Sequence, residues 1–109
     1  MPVSIPEPGP YYTCLVPMAD VASFPYAYAL FFSPDHHRKE GGIWLYLCDG
    51  EPTESANWVS YEEAVAAGRF DHVSAKPESN PIFIDTVQGS GHTETPHANV
   101  IDGVVYLTY

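Results

Sequence analysis

Proline and glycine punctuate this chain from end to end, eleven of one and eight of the other in 109 residues. Proline removes a backbone donor and fixes φ, while glycine opens the left-handed region, so each marks a turn or the end of an element. Long helices have little room between them. The expected architecture is many short elements joined by turns, in one small domain. With 45 % hydrophobic residues, the chain has enough apolar material for one core, which argues against global disorder.

The strongest strand signal is "FPYAYALFFSP". Phe24, Tyr26, Tyr28, Leu30 and Phe32 fall on one face of an extended chain, and Ala27, Ala29 and Phe31 on the other. Both faces are apolar, so the strand is expected to be covered on both sides. The polar stretch "DHHRKEGG" reads as a hairpin loop. "IWLYLCD" reads as the return strand, with Trp44, Tyr46 and Cys48 on one side and Ile43, Leu45 and Leu47 on the other. "GEPTESANW" reads as a loop. "SYEEAVAAG" carries helix signals: Ser60 as N-cap, Glu63 completing a capping box, Glu62 and Glu63 at the positive end, and Gly68 as the stop. Ile82 to Ile84 read as a further short strand and "VQGSGHTETP" as a glycine-rich loop. "HANVIDGVVYLTY" reads as a hairpin turning at Asp102-Gly103, with Val104, Tyr106 and Thr108 on one side of its last strand. Residues 1–19 read as an extended, proline-rich leader in which "YYTCLVPM" leaves room for a short strand ending at Pro17; residues 20–109 form the domain. Tyr109 falls inside a strand, an open edge for another chain or further sequence to cover.

Fourteen acids face four bases, Arg38, Lys39, Arg69 and Lys76, for a formal charge of −10. Phosphate backbones and anionic bilayers attract clustered cations, so nucleic acid and membrane surfaces are not expected partners. No apolar run has transmembrane length, and "MPVSIPEPGPYY" lacks the basic and apolar regions of a signal peptide. The expectation is a soluble chain, cytoplasmic by default. The acidity suits solubility, or a site for neutral, hydroxyl-rich or cationic ligands. Cys14 and Cys48 lie in apolar contexts and are expected as buried free thiols. There is no glycine-rich phosphate loop, no nucleophile elbow and no paired redox cysteine, so no organic cofactor is expected.

Three stretches carry a resemblance. "YALFFSPDHHRKEGGIWLYLCD" is similar to a strand of the form "yyLyYS-D" followed by "GGI" and a hairpin return. "NPIF" resembles the segment that precedes a new blade. "HTETPHANVIDGVVYLTY" resembles the start of a blade, where a polar residue precedes proline and "-dG-yYLfYs" follows. Over roughly residues 20–109 the chain thus resembles the five-bladed β-propeller glycoside hydrolases of the arabinanase, xylosidase and fructosidase type. An aromatic-rich strand closing a hairpin recurs in "YAYALFFSPDHH" and "DGVVYLTY", as repeated blades would show. The resemblance implies an all-β fold of antiparallel propeller blades, about two of them, with one short helix. It implies a carbohydrate-active protein that hydrolyses or binds a glycoside. The ligand would be a small molecule or oligosaccharide, and the ring would be completed by a homo-oligomer or by missing blades. In that family, acids from different blades act as base, pKa modulator and acid.

The densest polar stretch is "GSGHTETPH", Gly89 to His97. Glu94 holds a position like that of the family's acidic residue before proline. It would protonate the leaving oxygen, with His92 or His97 tuning it; a loop glutamate bonded to nearby backbone would look the same. Alternatively, His92, Glu94 and His97 would hold a divalent metal, with a fourth ligand from His36 or His37. Their spacing matches neither a zinc finger nor the helical two-histidine motif. His36 and His37 follow Asp35 in "SPDHH", where an imidazole would reach the sugar or simply decorate a turn. Asp20 would be the catalytic base if an inner strand begins there; Asp49 reads as a strand-end turn. Trp44, Trp58 and Tyr61 are candidate stacking platforms, with His37 and His97 as further substrate contacts. Aromatics at alternating strand positions more often build core, and Trp58, in a polar loop, looks least core-like. Two readings stand beside the glycosidase one: a non-catalytic binding or assembly β module, and a small metal-binding β protein.

Overall fold

The computed structural model describes residues 11–33, 42–69, 80, 82–83 and 96–109. These are mostly strands in antiparallel sheets, so the all-β expectation holds. Strands β1 (Tyr11–Pro17), β2 (Tyr28–Ser33), β3 (Trp44–Cys48) and β4 (Trp58–Ser60) form a four-stranded antiparallel meander in chain order. Strands β5 (His97–Ile101) and β6 (Val104–Thr108) form a separate hairpin. A 3-10 turn at Ser55–Asn57 precedes β4, and the helix α1 (Tyr61–Ala66) follows it.

The period-two pattern of β2 and β3 sets the register. Ala29 lies opposite Leu47, and Phe31 opposite Leu45; Leu30 opposes Tyr46 and Phe32 opposes Trp44 on the reverse face. Val16 of β1 pairs with Ala29, and Trp58 of β4 with Cys48. Each face builds its own core. One gathers Val16, Ala29, Phe31, Leu45 and Leu47 with Met18, Ile43, Tyr61, Ala64 and Ala98. The other gathers Leu30, Phe32, Tyr46, Cys48 and Trp58. The central strands are therefore buried on both sides, as the two-sided apolar pattern requires.

The strand begins at Tyr28 rather than Phe24, which corrects the face assignment upstream. Val21 N–H donates to the Met18 carbonyl and Phe24 N–H to that of Val21, and Ser23 adopts φ 63°. A bend at Tyr26 and Ala27, just before the strand, then breaks the alternation. Tyr26 and Phe24 consequently pack with the Ala29–Phe31 cluster, not with Leu30 and Phe32.

The helix forms where its signals stand. Glu63 N–H donates to Ser60 Oγ at 3.1 Å, and Ser60 N–H donates to Glu63 Oε1 at 3.0 Å, so both halves of the capping box are made. The bond from the Ser60 backbone, then that with its side chain, holds the Glu63 carboxyl below its ordinary pKa. Gly68 follows with φ 77°. Tyr61 and Ala64 face the core, where burial pushes the Tyr61 phenol upward.

The terminal hairpin turns at Asp102 (φ 52°) and Gly103 (φ 78°), the left-handed pair of a type I′ turn. Ala98, Val100, Val105 and Leu107 face the first cluster. Cys14 joins this hairpin to β1: Ala98 N–H donates to its Sγ at 3.3 Å, and the thiol lies 3.6 Å from the Ala98 carbonyl oxygen. Both cysteines are free; Cys48 is buried as expected and Cys14 only half-buried. Burial raises the Cys48 pKa. Phe83 forms an isolated antiparallel bridge with Ile43, and Ile82 N–H donates to the Ile43 carbonyl; Ile84, the last residue of the expected strand, lies outside the described residues. Among the described residues, no helix is long and apolar enough to cross a membrane.

Candidate functional site

Of the residues singled out from sequence, Glu94, His92, His36 and His37 lie outside the described residues, as does Asp35. Asp20 sits in the turn after β1 and is exposed. A Cβ built on Gly103 would meet the Asp20 carbonyl oxygen at 3.4 Å, so Asp20 and the β5–β6 turn share one end of the molecule. His97 opens β5 opposite Thr108, whose hydroxyl donates to the His97 carbonyl at 3.2 Å. Among the described residues no three His, Cys, Asp or Glu side chains converge as a metal site would require.

The expected platforms are mostly core. Trp58 is the correction: it is only 5 % exposed, packs among Leu30, Phe32, Tyr46 and Cys48, and donates its indole N–H to the Pro52 carbonyl at 2.8 Å. The polar residues before it had suggested a loop, but Trp58 begins β4 and turns its ring inward. Tyr61 is buried too. Trp44 is half-buried, its ring 6.2 Å from that of Phe32. The buried Trp58 and Tyr61 rings offer no open face of the kind a sugar stacks on.

Asp49 ends its strand in a bend, as read, and lies 3.5 Å from Arg69. The Arg69 guanidinium also bonds the Pro25 carbonyl and stands 4.2 Å from the centre of the Tyr26 ring. Burial raises the Tyr26 phenol pKa, and the Arg69 charge partly offsets this. This cation is therefore tied into the fold.

An open face does exist, on the outside of the β5–β6 hairpin. Its register sets His97 opposite Thr108, Asn99 opposite Tyr106 and Ile101 opposite Val104, and all six residues are exposed. Tyr106 is 54 % exposed, with the Asn99 amide directly across the ribbon. The inner partners Ala98, Val100, Val105 and Leu107 hold the ribbon against the core, so alternation fixes which side chains look outward. Sequence reading placed Val104, Tyr106 and Thr108 together without marking them as the solvent side. The Asp-Gly turn was the signal that set Asn99 across from Tyr106.

Comparison with protein-family models, with curated proteins and with solved structures found no match for this chain.

Proposed function

We propose that this chain is a carbohydrate-active β module of the glycosidase-propeller type, and that its described part binds a glycoside on the outer face of the β5–β6 hairpin. The observation carrying this is the exposed Tyr106 ring paired with Asn99. A flat aromatic face takes the C–H face of a pyranose, and amide, hydroxyl and imidazole groups around it exchange hydrogen bonds with sugar hydroxyls. Asn99, Thr108 and His97 supply those groups. The propeller reading draws support from the meander β1–β4, since one blade is a four-stranded antiparallel sheet, with β5–β6 as the first hairpin of the next. In the hydrolytic version of this reading Glu94 is the acid, with Asp20, His36 and His92 as its partners.

The test is titration of isotope-labelled protein with neutral xylo-, arabino-, fructo- and chito-oligosaccharides, followed by amide shifts. Shifts centred on Asn99, Tyr106 and Thr108, and lost in Tyr106→Ala, are expected. Shifts absent with every sugar, or centred elsewhere, would overturn the reading. A second reading, an assembly module, is favoured by the Ile101–Val104 pair, 54 % and 52 % exposed at the tip of the same ribbon. It predicts a chain mass that rises with concentration in light scattering.

A further inference from the structure

We infer that the glycoside taken by the hairpin face is an amino-sugar oligosaccharide with free ammonium groups, a class this face prefers to neutral sugars and to sugar acids. The inference rests on the glycoside reading above and specifies its ligand.

Three observations carry it. The chain as a whole bears a formal charge of −10, so its field concentrates cations and repels uronates and sulfates. Arg69, the one lysine or arginine among the described residues, already has partners in the Pro25 carbonyl, the Asp49 carboxylate and the Tyr26 ring. The face itself has no lysine, arginine or carboxylate among its six outward residues, but exposed Asp102 stands at its tip, with exposed Asp20 at the same end. By strand rise, Asp102 lies on the order of 10 Å from Tyr106. An oligosaccharide stacked on Tyr106 and running toward the turn would carry its ammonium groups to these carboxylates. His97 is the one titratable side chain on the far end of the face, away from them.

The experiment compares a glucosamine oligosaccharide with its N-acetylated counterpart, at one mildly acidic pH where the sugar amines are charged. The expected result is about tenfold tighter binding of the free amine at low salt, falling to parity near 1 M salt, where screening shortens to about 3 Å. Asp102→Asn should lower the preference, and asparagine tolerates the left-handed backbone at this position. Equal binding of the two sugars at low salt, with Tyr106→Ala weakening both, would overturn this inference and leave the glycoside reading standing. A preference that survives high salt would overturn it as well. No binding of either sugar would overturn both.

Discussion

The side chain of Asn80 stands in for a strand residue beside Leu45. Leu45 N–H donates to Asn80 Oδ1 at 2.9 Å, and Asn80 Nδ2 donates to the Leu45 carbonyl at 3.1 Å, the two bonds of an antiparallel pair made by one amide. Strand β4 pairs with β3 only at Tyr46, Leu47 and Cys48, so the edge would otherwise be open at Leu45. Beyond it Ile43 N–H donates to the Phe83 carbonyl at 2.9 Å, and Ile82 N–H to the Ile43 carbonyl at 2.8 Å. Glu62 of the helix fixes this substitute strand by accepting from Asn80 N–H at 2.6 Å.

Asn80→Ala should therefore destabilise the protein by about 2 to 4 kcal/mol, because it orphans a donor and an acceptor on the largely buried Leu45. Asn80→Asp should recover little, since a carboxylate accepts from the N–H but repels the carbonyl. Urea unfolding of the three proteins checks this. A loss under 0.5 kcal/mol in the alanine variant would mean that water replaces the amide.

The capping box gives a pH signature. Its bonds hold the folded-state Glu63 carboxyl below its ordinary value, so their contribution is complete above the carboxylate range and fades as pH falls through it. Ser60→Ala should cost about 1 kcal/mol at neutral pH. Glu63→Gln should remove part of the acid dependence of unfolding while keeping the helix. A wild-type and Glu63→Gln pair whose stabilities stay parallel from neutral pH into acid would refute the linkage.

Trp58 and Tyr106 should separate stability from binding. Trp58→Phe loses the indole bond to the Pro52 carbonyl and should cost about 1 to 2 kcal/mol without changing oligosaccharide affinity. Tyr106→Ala should cost little stability, being exposed, and remove most of the affinity. Thermal melts and calorimetric titration of both variants decide between these roles; a reversed pattern would make Trp58 the platform.

Sequence legibility followed the range of the interactions. The helix, the Asp-Gly hairpin and the two-sided β2–β3 pair are written in neighbouring residues, as caps, turn chemistry and alternation; the helix and hairpin form where their signals stand, and β2 starts four residues later than its pattern. Trp58 was misread because strand β4 has three residues, too few for alternation to show against a polar approach. Tyr26 falls on the other face because a bend at Tyr26 and Ala27 breaks the period before the strand begins. Asn80 left no trace in any pattern, because a side-chain amide bonding backbone 35 residues away has no periodicity. The hairpin's outer face was legible as an alternation, but which side meets the core depends on β1, through Cys14 and Ala98.

That last contact yields a prediction of its own. The Cys14 sulfur meets both backbone groups of buried Ala98, so one thiol is a hydrogen-bonding partner between β1 and the hairpin. Among the described residues, apolar contacts of Ala98, Val100, Val105 and Leu107 and the Tyr109 ring against Phe83 also hold the hairpin. Two strands alone are marginal in water, so the ribbon depends on this docking. Cys14→Ala should leave the Ala98 N–H and carbonyl without their sulfur partner and accelerate amide exchange at Ala98 and along β5 and β6. The meander β1–β4, with its own ladder and two cores, should keep its protection. Cys14→Ser, with a shorter bond to oxygen, should fall between the two. Hydrogen exchange read residue by residue distinguishes this local loosening from global destabilisation, which would raise exchange in β2 and β3 by the same factor and remove the thiol from its assigned role.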